Sequence, residues 1–143
     1  MLYGPMTHPQ FLRALAAAGH GSKILLADGN YPHTTGVNPN CELVSLNLAP
    51  GMLTVSQVLE VLKQTIPIEK AEIMVPEADQ DPIEIPAHAQ YREALPDVEF
   101  GEITRFAFYD AARSQDVGII VATGDQRLYA NLLLTVGVRH PGE

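Results

Sequence analysis

An α/β layered domain is the fold class this sequence predicts, and three observations lead to it. Short apolar runs of buried-strand type recur as KILLA (23–27), AEIMV (71–75) and VGIIVA (117–122). Between them lie segments whose apolar residues repeat at three and four positions, the period of a helix with one buried face. The length, 143 residues, suits one sizeable core, so a single domain over 1–143 is expected. Strands interleaved with helices favour helices layered on a sheet, with loops at strand ends as the default ligand site.

The elements follow in order. Thr7 is placed to cap a first helix, with Pro9 in its first turn, Phe11, Leu12 and Leu15 on one face, and Gly19 as the left-handed residue that ends it. KILLA then runs as a strand into the turn cluster Asp28-Gly29-Asn30. Residues 31–41 hold two prolines and no period, a loop of the length at which loops tend to be functional. Leu43 to Leu48 alternate loosely enough for a second strand, broken by Pro50-Gly51. Thr54 opens a helix in which Val55, Val58, Leu59, Leu62 and Ile66 share a face, and Pro67 ends it. AEIMV is the third strand, and PEADQDPIEIP an acidic, proline-rich surface connection before a short helix over 87–94. Ile103 and Thr104 read as a strand end and Phe106 to Arg113 as a helix. VGIIVA is the clearest strand, with Thr123-Gly124-Asp125 turning after it; YANLLLTVGV (129–138) reads as a last strand on its Thr135, Val136 and Val138. No internal repeat or low-complexity tract occurs.

Composition excludes several classes. Hydrophobic residues at 46% and charged residues at 18% describe a globular chain, and no apolar run reaches the roughly 20 residues of a membrane span. With 9 basic against 17 acidic residues the net charge is −8, which repels phosphate backbones and anionic membranes, so neither nucleic acid nor membrane is an expected partner. Cys41 is the only cysteine and there is no secretory leader pattern, so no disulfide framework or thiolate metal cluster is expected, and a cytoplasmic setting is.

Chemistry-bearing residues are few. His20 lies between two glycines, where its side chain is not locked into a hydrophobic layer, and an imidazole both gives and takes protons near neutral pH. The plainer reading is a solvated histidine at a helix end. Asp28 follows a buried strand, where a carboxylate can accept bonds from loop amides or from a ligand hydroxyl; an ordinary Asp-Gly turn explains it as well. Arg105, among Phe106, Phe108 and Tyr109, either snorkels out, pairs with a carboxylate or faces a polar ligand. Tyr129 and Asn131 share one face if YANLLL is extended. His8, His20, His33, His88 and His140 form no paired metal motif, Cys41 sits beside an acidic neighbour that disfavours a thiolate, and no glycine-rich phosphate loop occurs. No metal, nucleotide or other cofactor is expected.

Taken together, Gly-His-Gly, an apolar strand ending in Asp28, Pro32, then TRFAFYD, GIIVATGD and YANLLLTVGV make the chain resemble the RbsD/FucU family of sugar mutarotases, from about Pro9 to Val138. Within that family RFAFYDAA resembles the L-fucose mutarotase branch rather than the D-ribose pyranase branch. The resemblance implies a three-layer α/β/α domain around a mixed, mostly parallel sheet. It further implies assembly into a homo-oligomeric ring, commonly a decamer, with active sites near subunit boundaries. It assigns His20 as general acid, and Asp28, Arg105, Tyr129, Ala130 and Asn131 as sugar-binding positions. DGNYP departs from the family's usual Asp-Ala start, and residues 76–100 carry none of the motifs on which the resemblance rests. The implied activity is interconversion of monosaccharide anomers by acid–base ring opening; ribose pyranase activity and a non-catalytic sugar-binding regulatory module are the alternatives. One strand of five residues spans about 17 Å, so His20 and Asp28 at its two ends reach one sugar only if the chain doubles back or a neighbouring chain supplies one of them.

Overall fold

The computed structural model describes residues 1–143. Along the chain run α1 (Pro9–Ala17), β1 (Lys23–Ala27), β2 (Glu42–Ser45), α2 (Val55–Leu62), β3 (Ile68–Val75), α3 (Pro86–Ala94), β4 (Glu99–Thr104), α4 (Arg105–Ala112), β5 (Val117–Ala122) and β6 (Leu132–Val136). The six strands form one sheet in the order β2-β5-β1-β6-β3-β4. The pairs β1–β5, β2–β5 and β3–β4 are parallel, whereas β6 runs antiparallel to both β1 and β3. The expected mixed, mostly parallel sheet is therefore present.

Strand periodicity divides the core in two. Ile24 and Leu26 face the same side as Ile119, Val121, Leu132 and Leu134, and there they meet α1 through Phe11, α2 through Val58 and Leu59, and α3 through Tyr91. Leu25, Ile120 and Leu133 face the other side, where α4 covers them with Phe108 and Ala112 and the 31–41 loop adds Tyr31. Burial on both faces is why KILLA and VGIIVA read as continuous apolar runs. Each such large apolar side chain contributes about 1.5–3 kcal/mol by leaving water.

Several element ends differ from expectation, each for a local reason. Pro9 is the first helical residue of α1, so the cap is His8, whose Nδ1 accepts the Phe11 N–H at 3.2 Å, and not Thr7. Helix α1 closes on Ala18 in an extended conformation; the left-handed residue is Gly21 (φ 82°) rather than Gly19. Thr54 caps α2 as expected, through a capping box with Gln57, but the helix stops at Leu62 in tighter turns instead of reaching Ile66. Strand β2 ends at Ser45, because the chain then folds back in the Ala49–Met52 bridge against Gly124, where a Cβ would lie 2.3 Å from two carbonyl oxygens. Strand β6 starts at Leu132, so Tyr129 and Asn131 do not share a strand face; Tyr129 is left-handed (φ 59°).

This topology sorts the chain ends of the strands. β1 to β5 all point one way and β6 the other, so one sheet edge collects Asp28, Met74, Arg105 and Thr123 together with Asn131 at the start of β6. The opposite edge carries His20, the start of β3 and the end of β6, where the Gly21 N–H donates to the Val136 carbonyl.

Candidate active site

Asp28 leaves β1 at the edge where parallel strands end and is 4% exposed. Its backbone N–H donates to Asn131 Oδ1 at 2.8 Å, and Asn131 Nδ2 donates back to Asp28 Oδ2 at 2.9 Å. The Asn30 N–H donates to Asp28 Oδ1 at 2.9 Å, and the ring Nε2–H of His33 donates to the Asp28 carbonyl at 2.8 Å. Burial pushes the Asp28 carboxyl above the ordinary carboxylate value, opposed by the amides of Asn30 and Tyr31. Asn131, 3% exposed, gives its carboxamide oxygen and one N–H to Asp28, and its Nδ2 lies 3.8 Å from Met74 Sδ.

Between these groups and α4 opens a cleft of about 260 Å³. Its polar lining is Asp28, Asn30, Arg105, Tyr129 and Asn131, and Tyr31, Tyr109, Met74 and Leu128 supply apolar surface. Arg105 is exposed at the first residue of α4 and forms no salt bridge; its guanidinium lies 5.6 Å from the Phe106 ring and 5.8 Å from the Tyr109 ring. Of the three settings open to it from sequence, it faces outward over aromatics, with the Tyr109 side chain as its nearest polar neighbour. The Tyr129 hydroxyl donates to Gln80 Oε1 at 3.3 Å, near the outer limit of a hydrogen bond. A left-handed aromatic residue costs about 1–3 kcal/mol and persists only where its surroundings hold it. Here the His88 ring Nε2–H donates to the Tyr129 carbonyl at 2.9 Å and the buried Tyr91 hydroxyl to the Ala130 carbonyl at 2.7 Å. Ala130 itself is fully buried in the main core, so its side chain does not line the cleft.

His20 is elsewhere. It stands exposed at the opposite sheet edge, its Nε2 3.0 Å from Glu69 Oε2. The structure thus gathers Asp28, Arg105, Tyr129 and Asn131 in one cleft and separates His20 from them by the length of β1.

Two other polar features lie nearby. A second cleft of about 410 Å³ shares Asn30 with the first and reaches Asp125. That carboxylate is 1% exposed and fully engaged: Arg127 donates from Nε and Nη2 and Val55 from its backbone N–H. Burial alone would raise Asp125, but Arg127 and these amides outweigh it and hold the carboxyl below its usual value. Cys41 is pushed up to about 11 by burial first and Glu42 second, so it is a thiol and no nucleophile.

The model of the RbsD / FucU transport protein family matches residues 1–139, nearly the full length on which the cleft is built. The chain belongs to the RbsD / FucU family. Among relatives of this RbsD / FucU chain, the protein named fucose mutarotase from Danio rerio is 32% identical, covering 94% of this chain and 91% of that one. The Homo sapiens protein of the same name is 31% identical over 91% and 88%. The fucose mutarotase of Streptococcus pneumoniae, solved in complex with L-fucose, superposes with a TM-score of 0.81 at 25% identity, covering 98% of this chain and all of that one (100%). Bacillus subtilis RbsD, solved with D-ribose, shares the fold at a TM-score of 0.83 and 22% identity over 98% and 99%.

Sequence reasoning missed part of this RbsD / FucU site. Asn30 with Tyr31, Met74 and Leu128 join the cleft from three separate segments, and nothing in their local sequence marks them. Tyr109 stood beside Arg105 in the RFAFYD stretch, and its place one helical turn after Arg105 is the signal that could have found it. Glu69 as the partner of His20 comes from a strand 49 residues away and has no local signature.

Proposed function

We propose that the protein is a mutarotase that interconverts the anomers of a free monosaccharide of the L-fucose kind by acid–base opening and closure of the sugar ring. The observation that carries this reading is the cleft itself. A buried, fixed carboxylate (Asp28), an unpaired guanidinium (Arg105) and a phenol (Tyr129) converge on a volume suited to one monosaccharide, with tyrosine rings to pack on its C–H faces. The relatives named fucose mutarotase at 31–32% identity support the substrate class.

Ring opening transfers a proton to the ring oxygen as the bond from that oxygen to the anomeric carbon breaks, and removes a proton from the anomeric hydroxyl as the carbonyl forms. Rotation about the adjacent C–C bond and the reverse steps close the other anomer. The O–H bonding pair of the anomeric hydroxyl becomes the new carbonyl bond and the broken C–O pair goes to the ring oxygen, so the reaction asks only for an acid, a base and a site that holds the hydroxyls. His20 is the general acid in this reading. Asp28, Arg105, Tyr129, the Ala130 backbone and Asn131 hold the sugar, and the carboxylate of Asp28 or the phenol of Tyr129 takes the second proton.

His20 reaches the sugar from an adjacent copy of the chain, in a ring of subunits, a decamer by the family resemblance. Two features support this. Within one subunit about 17 Å of strand separates His20 from Asp28. Leu128, in the cleft lining, and Phe106, next to Arg105 on α4, stand 65% and 63% exposed, apolar surface that a neighbouring subunit would cover. A reduced lone thiol and a free-sugar substrate fit a cytoplasmic setting, and no helix is long and apolar enough to cross a membrane.

Saturation-transfer NMR between the α and β anomers of L-fucose, with D-ribose and other sugars alongside, tests the proposal. Accelerated exchange of fucose is expected. Ribose exchange faster than fucose exchange would move the substrate to the pyranase branch, which has less support here. Binding without exchange would make the protein a sugar-binding module and overturn the mutarotase reading.

A further inference from the structure

Helix α3 is the one element of the fold whose polar side chains reach the Tyr129–Asn131 segment from behind the cleft. His88 and Tyr91, three residues apart on one face of the helix, donate to two successive carbonyls, those of Tyr129 and Ala130. Tyr91 is fully buried and His88 half-buried, and neither lines the sugar cleft. The carbonyls they hold belong to the two peptides that follow the left-handed Tyr129 (φ 59°), the stretch that leads from the cleft-lining Tyr129 and Asn131 into β6.

We infer that His88 is a positioning residue of the active site: its ring N–H holds the Tyr129 carbonyl so that the left-handed backbone presents the phenol to the sugar. The inference rests on the mutarotase reading of the cleft. Three facts support it. Tyr129 is the only non-glycine residue of the chain with positive φ. An aromatic residue adopts that conformation only under outside constraint. The phenol's own hydrogen bond, to Gln80 at 3.3 Å, is too long to supply that constraint. Tyr91 secures the next carbonyl from inside the core, so His88 is the member of the pair that can be altered without opening the core.

The role also specifies the chemistry required at position 88. The acceptor is a carbonyl, so the ring must donate, which both the Nε2–H neutral form and the imidazolium do. A carboxamide can replace that donor, and a phenyl ring can fill the same space without it. His88→Phe and His88→Gln therefore separate the hydrogen bond from the packing.

The test is steady-state mutarotation of L-fucose by saturation-transfer NMR for wild type, His88→Phe and His88→Gln, with thermal unfolding and the amide resonances of Ala130 and Asn131 followed in the same samples. His88→Phe is expected to raise KM about tenfold, since a contact to bound sugar is loosened; kcat stays within about twofold where Asp28 takes the second proton and falls along with the KM rise where Tyr129 does. His88→Gln should return KM to within about threefold of wild type. In His88→Phe the Ala130 and Asn131 resonances should shift, and in His88→Gln they should return toward their wild-type positions. Loss of folded protein alone would lower apparent kcat and leave KM, and that pattern would overturn the inference. So would an unchanged KM in His88→Phe, or equal KM increases in both variants. If wild type exchanges no sugar, the mutarotase reading fails on its own; resonances unmoved by His88→Phe would then overturn the clamp as well, and shifts restored by His88→Gln would support it.

Discussion

Asp28 and Asn131, 103 residues apart in sequence, hold each other through a closed pair of hydrogen bonds, backbone N–H to Oδ1 at 2.8 Å and Nδ2–H to Oδ2 at 2.9 Å. The pair ties the end of β1 to the start of β6, neighbouring antiparallel strands in the centre of the sheet. It also fixes the carboxylate of the cleft in one orientation without neutralising it, since a carboxamide brings no charge. A carboxylate held this way keeps lone pairs free for sugar hydroxyls and needs no reorganisation when they arrive.

Truncating Asn131 to alanine should therefore act on stability and binding together. It strips a buried amide N–H and a buried carboxylate oxygen of their partners, a loss of about 1–3 kcal/mol. Urea unfolding should show a midpoint lowered accordingly, and fucose binding should weaken in the same variant. A midpoint equal to wild type would mean that water substitutes fully for the carboxamide.

The raised Asp28 carboxyl gives two pH dependences of opposite sign. In the folded chain burial shifts it above the ordinary 3.8, so between that value and its folded value the native state binds the proton more tightly than the unfolded state. The contribution of Asp28 to stability therefore falls as pH rises through that window and is constant above it. Sugar affinity runs the other way, rising over the same window as the acceptor carboxylate appears. Following the Asp28 side-chain carbon resonance against pH, with fucose affinity measured at each point, checks both; a midpoint at or below 3.8 contradicts the burial argument.

His20 and Asp28 stand at opposite sheet edges of one subunit, and a shared site makes a prediction about mixtures. His20→Asn should still bind fucose and lose exchange by about 10²–10⁴-fold. Asp28→Ala should lose exchange through lost binding. Unfolded and refolded together in equal amounts, the two inactive variants should recover about a quarter of wild-type activity, because random assembly gives that share of sites an intact His20 from one chain and Asp28 from the other. Mixtures as inactive as their components would mean that no site draws His20 and Asp28 from different chains, and the shared site would fail.

Much of the fold was legible in the sequence because central strands buried on both faces leave continuous apolar runs; β1 and β5 match KILLA and VGIIVA end to end. Asp28 could be placed at a strand mouth for the same reason. The start of β6 could not. Tyr129 to Asn131 run directly into the apolar LLLTV of β6, and the Tyr129 and Ala130 carbonyls take donors from α3, 41 and 39 residues away. Those are tertiary hydrogen bonds, and a single sequence carries no sign of them. The cap at His8 was missed for a smaller reason: a ring nitrogen can do the work of a hydroxyl, and Pro9 decides which residue precedes the helix.

Exposed apolar side chains beside the cleft bear on whether the assembly is required. Leu128 in the cleft lining and Phe106 next to Arg105 on α4 keep most of their surface in water in a single subunit. Covering one such side chain with a neighbouring subunit contributes roughly 1–2 kcal/mol, repeated at every interface of a ring. Leu128→Asp places a charge where the neighbour would sit and is expected to lower the molar mass seen by light scattering. Its far-ultraviolet circular dichroism should match wild type, because Leu128 supports neither core cluster. In the shared-site proposal activity should fall with the assembly, by as much as in His20→Asn, because separated subunits would lack the incoming imidazole. A dispersed variant with full mutarotation would show that one chain holds a complete site, and the general acid would then have to be sought among residues of the cleft itself.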